Sequence, residues 1–295
     1  MFAFLTDRQW MWCAAGFYLA GALLGSLSLL RRGRPLGGVM YGLIAIGYVL
    51  QLAGLSERGR VDGECPLGNT FEMLQFIAWS AITLYLLIGV TFRSSFLGYF
   101  TASLTAALTL LSLAVSAWDP PRPTRLFGGN PWIEFHAAHA VFSYGVFALL
   151  ALTSLLFLLR HYSLKSKRLG GRFTFLPSIF ELDLIGVRLL AVGVALLGGS
   201  LVVGSVYWLR DARDLTPANH LVTAALWIAY AVALGLRLRG RLLAKRFAWT
   251  CLALFAAALV SLGAVEGRRH PAPAPSAAAR PAPARPIAAP GVVPS

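Results

Sequence analysis

The sequence predicts an all-α fold, a polytopic bundle of about eight transmembrane helices. Three observations carry that prediction. Of 295 residues, 57% are hydrophobic and only 13% charged, about half the charge of an ordinary soluble domain. Mean hydropathy is +0.68. Apolar runs long enough to cross the roughly 30 Å of bilayer hydrocarbon recur along the chain, and a helix satisfies its own backbone there. This composition excludes a disordered chain, a nucleic-acid-binding domain and almost any water-soluble enzyme of this size. A net charge of +14 points to topology in such a protein rather than to nucleic acid.

Eight runs qualify in order: Trp10–Leu30, Gly37–Leu55, Phe71–Phe92, Phe96–Ala117, Phe135–Leu159, Ile185–Tyr207, Ala218–Leu236 and Phe247–Val265. The first is a retained helix rather than a signal peptide, because Asp7 and Arg8 replace a basic leader and no small-residue cleavage site follows. Asn69-Thr-Phe-Glu72 reads as the capped start of the third span. Pro177 punctuates the approach to the sixth. The breaker-rich stretch from Asp119 to Pro131 reads as a loop, with a short interfacial helix around Trp132. Residues 268–295 are nearly all Pro, Ala and Arg, so a disordered tail is expected after a membrane domain of residues 1–267.

Lys and Arg set the orientation. Loops after spans one, three, five and seven hold fourteen of them, against six after spans two, four and six, where Glu57, Asp62, Glu64, Asp119, Asp211 and Asp214 are mixed in. The odd loops are therefore expected in the cytoplasm and both termini outside. Cys13, Cys65 and Cys251 form neither a C-x-x-C pair nor an even set, so neither a disulfide framework nor a zinc ribbon is expected.

On this topology four of five histidines lie near the outer surface. His136 and His139 are one turn apart on a face shared with Ser143, His220 opens span seven and His270 follows span eight. Imidazole is a common metal and haem ligand, although interfacial histidines are also often simply hydrated. Arg188 is the lone cation inside the spans, within reach of Glu181 or Asp183 on the preceding turns. Gln51 and Gln75 are expected to hydrogen-bond between helices. The small residues Gly193, Gly198, Gly199, Ser200, Gly204 and Ser205 of span six read as helix packing. Trp10, Trp12, Trp132, Tyr207 and Trp208 read as an interfacial belt. With no phosphate loop, nucleophile–base pair or midplane carboxylate pair, an enzyme is not expected. A transporter is disfavoured by the scarcity of midplane charge.

Several segments in order resemble the CcsA-type cytochrome c assembly family of membrane haem-handling proteins, within its YpjD/HemX-like branch. Cys65-Pro-Leu-Gly-Asn-Thr-Phe-Glu-Met-Leu-Gln-Phe-Ile-Ala-Trp79 is similar to its Pro-x-x-Asn-x-x-Glu-x-x-x-Phe-x-x-Trp segment. Trp132-Ile-Glu-Phe-His136 ahead of Ser143-Tyr144 resembles its external histidine and Ser-Tyr pair. Leu176-Pro-Ser-Ile-Phe-Glu-Leu-Asp183 with Arg188, Gly193 and Gly204 is similar to the next span, and Trp227-Ile-Ala-Tyr230 with Arg237 and Arg241 to the close of its tryptophan-rich signature.

The resemblance implies an integral protein of the plasma (inner) membrane that assists haem handling or delivery in cytochrome c maturation. Its implied partners are membrane lipid, other assembly subunits and an apocytochrome c. Implied haem contacts are His136, as an axial ligand to iron, with His139, His220, His270, Trp132, Tyr144, Trp208 and Trp227. Arg122, Arg125, Arg210 and Arg213 would serve the propionates. Gln51 and Gly235 stand where the family's two intramembrane histidines would be, and Arg210-Asp-Ala-Arg-Asp-Leu-Thr-Pro217 replaces most of the tryptophan-rich core. The alternative is a regulatory or scaffolding membrane protein that binds no haem and is linked to tetrapyrrole synthesis.

Overall fold

A computed structural model describes residues 5–30, 37–92, 95–120, 130–165, 177–210 and 217–269, with side chains over 5–27, 38–87, 98–120, 130–165, 177–206 and 221–261. The expected 268–295 tail lies almost entirely outside these residues. Among the described residues eight helices follow one another: α1 (Asp7–Leu30), α2 (Gly37–Asp62), α3 (Thr70–Phe92), α4 (Ser95–Ala114), α5 (Pro131–Lys165), α6 (Ile179–Arg210), α7 (Pro217–Leu238) and α8 (Ala244–Arg269). Among the described residues there is no strand. Among the described residues seven helices are long and apolar enough to cross a membrane; the apolar stretch of α4, Gly98–Ala114, is shorter. Directly after α4 comes a 3₁₀ turn at Ser116–Trp118.

Local chemistry sets the helix starts. Asn69 accepts the Glu72 backbone N–H through Oδ1 at 2.9 Å, while Glu72 Oε2 accepts from the Gly68 N–H at 2.7 Å. This is a reciprocal cap whose return bond lands one residue earlier than in the usual box. Asn130 caps α5 through its Oδ1 to the Trp132 N–H, with Pro131 at the first helical position. Trp132 therefore belongs to the first turn of α5 itself, correcting the expected separate interfacial helix: nothing in Pro131-Trp-Ile-Glu breaks the run. Ser178 caps α6 through the Glu181 N–H at 3.1 Å.

The α7–α8 connection is equally local. Gly240 has φ 70°, its N–H donates to the Arg237 carbonyl, and the Arg241 N–H donates to the Leu236 carbonyl at 3.0 Å. These are the paired bonds of a Schellman cap, which needs the left-handed region. Gly240→Ala should cost about 1–2 kcal/mol, seen as a lowered thermal midpoint in detergent, whereas Arg239→Ala beside it should change little.

Ionic contacts at both rims show the helices alternating in direction. At one rim, called here the Asp7 rim, the starts of α1, α3 and α5 meet the ends of α2, α4 and α6; Arg58 joins α2 to Asp7, Glu72 and Asp119. At the opposite, Arg237 rim, Arg237 of α7 pairs with Asp183 of α6, and Lys245 of α8 lies 5.2 Å over the Tyr162 ring of α5. One apolar cluster joins α1–α4 around Tyr18, Ile44, Ile82 and Ala102. The larger one centres on α5, which packs on α3, α6 and α8 and stacks Phe147 on Tyr230 at 3.8 Å. Most of α5 is buried by neighbouring helices, while α1, α2, α6, α7 and α8 turn most of their apolar stretches outward, where lipid replaces protein as the apolar solvent.

Candidate functional site: a histidine seated on a glycine-rich helix

The first three turns of α5 bring His136 and His139 against α6. His136 Nδ1 lies 2.6 Å from the Ser200 carbonyl oxygen. A carbonyl can only accept, so Nδ1 carries a proton in this contact. Ser200 completes the clasp: its Oγ is 3.0 Å from Nδ1 and donates to the His136 carbonyl at 3.0 Å. The ring fits because residue 204 is glycine; a Cβ there would lie 2.6 Å from His136 Cε1.

The other small residues of α6 form similar seats. Gly198 admits Trp227, whose Nε1–H donates to the Val194 carbonyl at 2.9 Å. His139 sits in ordinary contact over Gly199 and stacks on Phe135, centroids 5.2 Å apart. A stripe expected only to pack helices thus also positions three of the candidate side chains. The signal was present in the sequence, since His136 and Gly204 belong to the same resemblance, but their contact spans two helices.

The remaining candidates are dispersed. Trp132 is exposed at the rim. Tyr144, about two turns below His136, is buried, with its hydroxyl 3.4 Å from Ser261 Oγ of α8. His220 lies in the first turn of α7, while Trp208 and Arg210 lie in the last turn of α6; their side chains, like His270, Arg122, Arg125 and Arg213 as a whole, fall outside the described residues. Among the described residues no three His, Cys, Asp or Glu side chains gather as a metal site.

Two polar clusters complete the Asp7 half of the bundle. Gln51 is fully buried: Tyr18 donates to its Oε1 at 2.9 Å, and its Nε2 donates to Gln75 Oε1 at 2.7 Å and to the Gln75 carbonyl at 3.2 Å. Gln75 in turn donates to Ser112 at 2.8 Å. The interhelical bonding expected of both glutamines is present. Above it, Arg58 donates to Glu72 at 2.6 Å, to Asp7 at 2.7 Å and to Asp119, which also accepts from Arg8 at 2.8 Å. Sequence reading missed this hub, because α2 runs two polar turns past the predicted end at Leu55 and Asp119 sat in a stretch read only as loop. Asp183, a candidate partner for Arg188, accepts from Arg237 through Oδ2.

A haem ligand needs a neutral imidazole with one nitrogen free of its proton and the other held by an acceptor. The Ser200 carbonyl holds the Nδ1–H of His136, the second of these conditions, so the chemistry of this residue fits an axial role. Gln51 does not: both ends of its amide are committed to neighbouring helices, and an amide is a poor iron ligand beside imidazole or thiolate.

Among the described residues, apolar helices that alternate in direction and are joined by buried polar contacts make this a multi-pass membrane protein with a histidine clasp at one rim. Residues 67–265 match the family described as Cytochrome C assembly protein, and the chain belongs to that family. It is 27% identical over 236 residues to Protein HemX of Brevibacillus brevis, covering 76% of this chain and 85% of that protein. To Protein HemX of Bacillus subtilis it is 27% identical over 194 residues, 64% of this chain and 69% of the relative. To the cytochrome c biogenesis protein CcsA of Chlamydomonas reinhardtii it is 25% identical over 210 residues, 66% of this chain and 56% of the relative.

Proposed function

We propose that this chain assists haem handling in cytochrome c maturation, at the Asp7 rim and on the outer side of the plasma membrane, together with other assembly subunits and an apocytochrome c. The observation that carries the reading is the His136 clasp: Nδ1–H held by the Ser200 carbonyl, with the ring laid on Gly204. Membership of the cytochrome c assembly family and likeness to a protein named for cytochrome c biogenesis support it.

In this reading His136 would hold the iron through Nε2. Bound haem would supply a redox-active iron centre that the protein carries rather than turns over. Ser200 fixes the ring's orientation and tautomer, and Trp227 keeps the neighbouring turn of α6 against α7. Trp132, exposed on the first turn of α5, offers an aromatic surface beside the histidine. The role is that of a carrier or scaffold, not an enzyme.

Protein purified from haem-supplied cells should show a Soret band, weakened at least several-fold in His136→Ala. A haem-free preparation that takes up no added haemin would overturn the reading. So would reporter fusions that put His136 on the cytoplasmic side.

The bonding of Gln51 favours a second reading. With that position committed to Tyr18 and Gln75, the protein in this reading is a non-haem scaffold or regulator linked to tetrapyrrole synthesis. Crosslinking from the 160–172 segment to a cytoplasmic enzyme, in protein without a Soret band, would select it.

A further inference from the structure

The two rims carry opposite charge. Among the described residues, the Asp7 rim holds eight carboxylates (Asp7, Glu57, Asp62, Glu64, Glu72, Asp119, Glu134 and Glu266) against six cations (Arg8, Arg58, Arg60, Arg210, Arg268 and Arg269). At the Arg237 rim the balance reverses. Its two carboxylates, Glu181 and Asp183, lie on α6, and Asp183 is engaged by Arg237. The α7–α8 junction presents Arg239, Arg241, Lys245 and Arg246, all exposed. Among the described residues no carboxylate pairs with Arg239, Arg241 or Arg246.

The junction is rigid, which separates it from a solvated basic loop. The Schellman bonds around Gly240 fix the turn. Arg237 Nη1 donates across it to the Leu242 carbonyl at 2.8 Å and lies 5.4 Å over the Phe247 ring. Lys245 is held over Tyr162 of α5 at 5.2 Å. The cations are thus displayed from a fixed frame joining α5, α7 and α8.

Large apolar side chains alternate with these cations: Leu238 is 70% exposed, Leu243 64% and Trp249 54%. A free anion would meet only the charges, and an acidic soluble segment would leave the apolar groups wet. An amphiphile carrying a phosphate head on acyl chains satisfies both.

We propose that Arg241, Lys245 and Arg246, with Trp249 and Leu243 beneath them, form a binding site for the headgroup of an anionic phospholipid. The phosphate sits at the start of α8, where backbone N–H groups add to the side-chain charge. The acyl chains run down the α8 surface past Trp249. The occupied site braces the α5–α7–α8 end of the bundle.

The test is native mass spectrometry of the full chain in detergent, titrated separately with phosphatidylglycerol and phosphatidylcholine. Wild-type protein should retain phosphatidylglycerol preferentially. Each basic residue near an anionic surface contributes about fivefold, so Arg241→Gln/Lys245→Gln/Arg246→Gln together should weaken that retention by about a hundredfold. Arg60→Gln at the opposite rim, exposed and paired only with Glu57 among the contacts described here, should leave it unchanged. These are surface substitutions, and an unaltered thermal midpoint without added lipid verifies the fold. Equal retention of the two lipids by wild type would overturn the proposal. So would undiminished phosphatidylglycerol binding by the triple variant, or polyglutamate binding with no lipid preference, which would mark the surface as a protein-docking site.

Discussion

Arg58→Ala should lower the stability of the bundle by about 3–5 kcal/mol, the range for removing one partner of a buried ionic cluster. The guanidinium joins Asp7 of α1, Glu72 of α3 and Asp119 after α4, and lies 5.0 Å over the Phe71 ring. Its side chain is 15% exposed and that of Glu72 fully buried, so water cannot replace the lost partner. Arg8 would remain as the cation paired with Asp119. Arg58→Lys should recover only part of the loss, since an ammonium cannot offer a planar fork to three acceptors. Thermal unfolding in detergent reads both variants. An Arg58→Ala midpoint equal to that of wild type would show that the cluster contributes little to holding α1–α4 together.

Gly145→Ala is expected to be nearly as damaging, for a steric reason. A Cβ at residue 145 would lie 1.7 Å from Ser80 Oγ and 2.8 Å from the Ile77 carbonyl oxygen. The hydroxyl can rotate, but the carbonyl belongs to the α3 backbone, so α3 and α5 must separate. Overpacking of this kind costs about 1–3 kcal/mol, and here it strikes the helix on which the larger apolar cluster depends. Gly145→Ala/Ser80→Ala should recover part of the midpoint and not all of it, because the Ile77 contact remains. Full recovery would assign the closeness of α3 and α5 to the Ser80 side chain alone.

How much of this was legible in the sequence depends on the range of each interaction. The helices were legible because crossing a bilayer is a condition on one continuous stretch of chain. The Asn69–Glu72 cap was legible because its partners lie three residues apart. Gln51 and Gln75 could be expected to bond between helices because a buried amide must, although their mutual pairing was not specified. The Arg58 hub includes a bond across 111 positions, Arg8 to Asp119, and the His136–Ser200 clasp spans 64; periodicity within one helix carries no information about either. For the same reason Gly204 read as packing, while its role as the seat of an imidazole emerges only once α5 and α6 are side by side.

Because neighbouring helices occupy most of its circumference, α5 has little freedom to spin about its own axis. Its azimuth is set by Gly145 against α3 and by Phe147 against Gly193 and Tyr230, two to three turns below His136. The compass bearing of that histidine is therefore decided deep in the bundle, far from where it would meet a ligand. A change at the buried midsection of α5 would steer the imidazole without touching it.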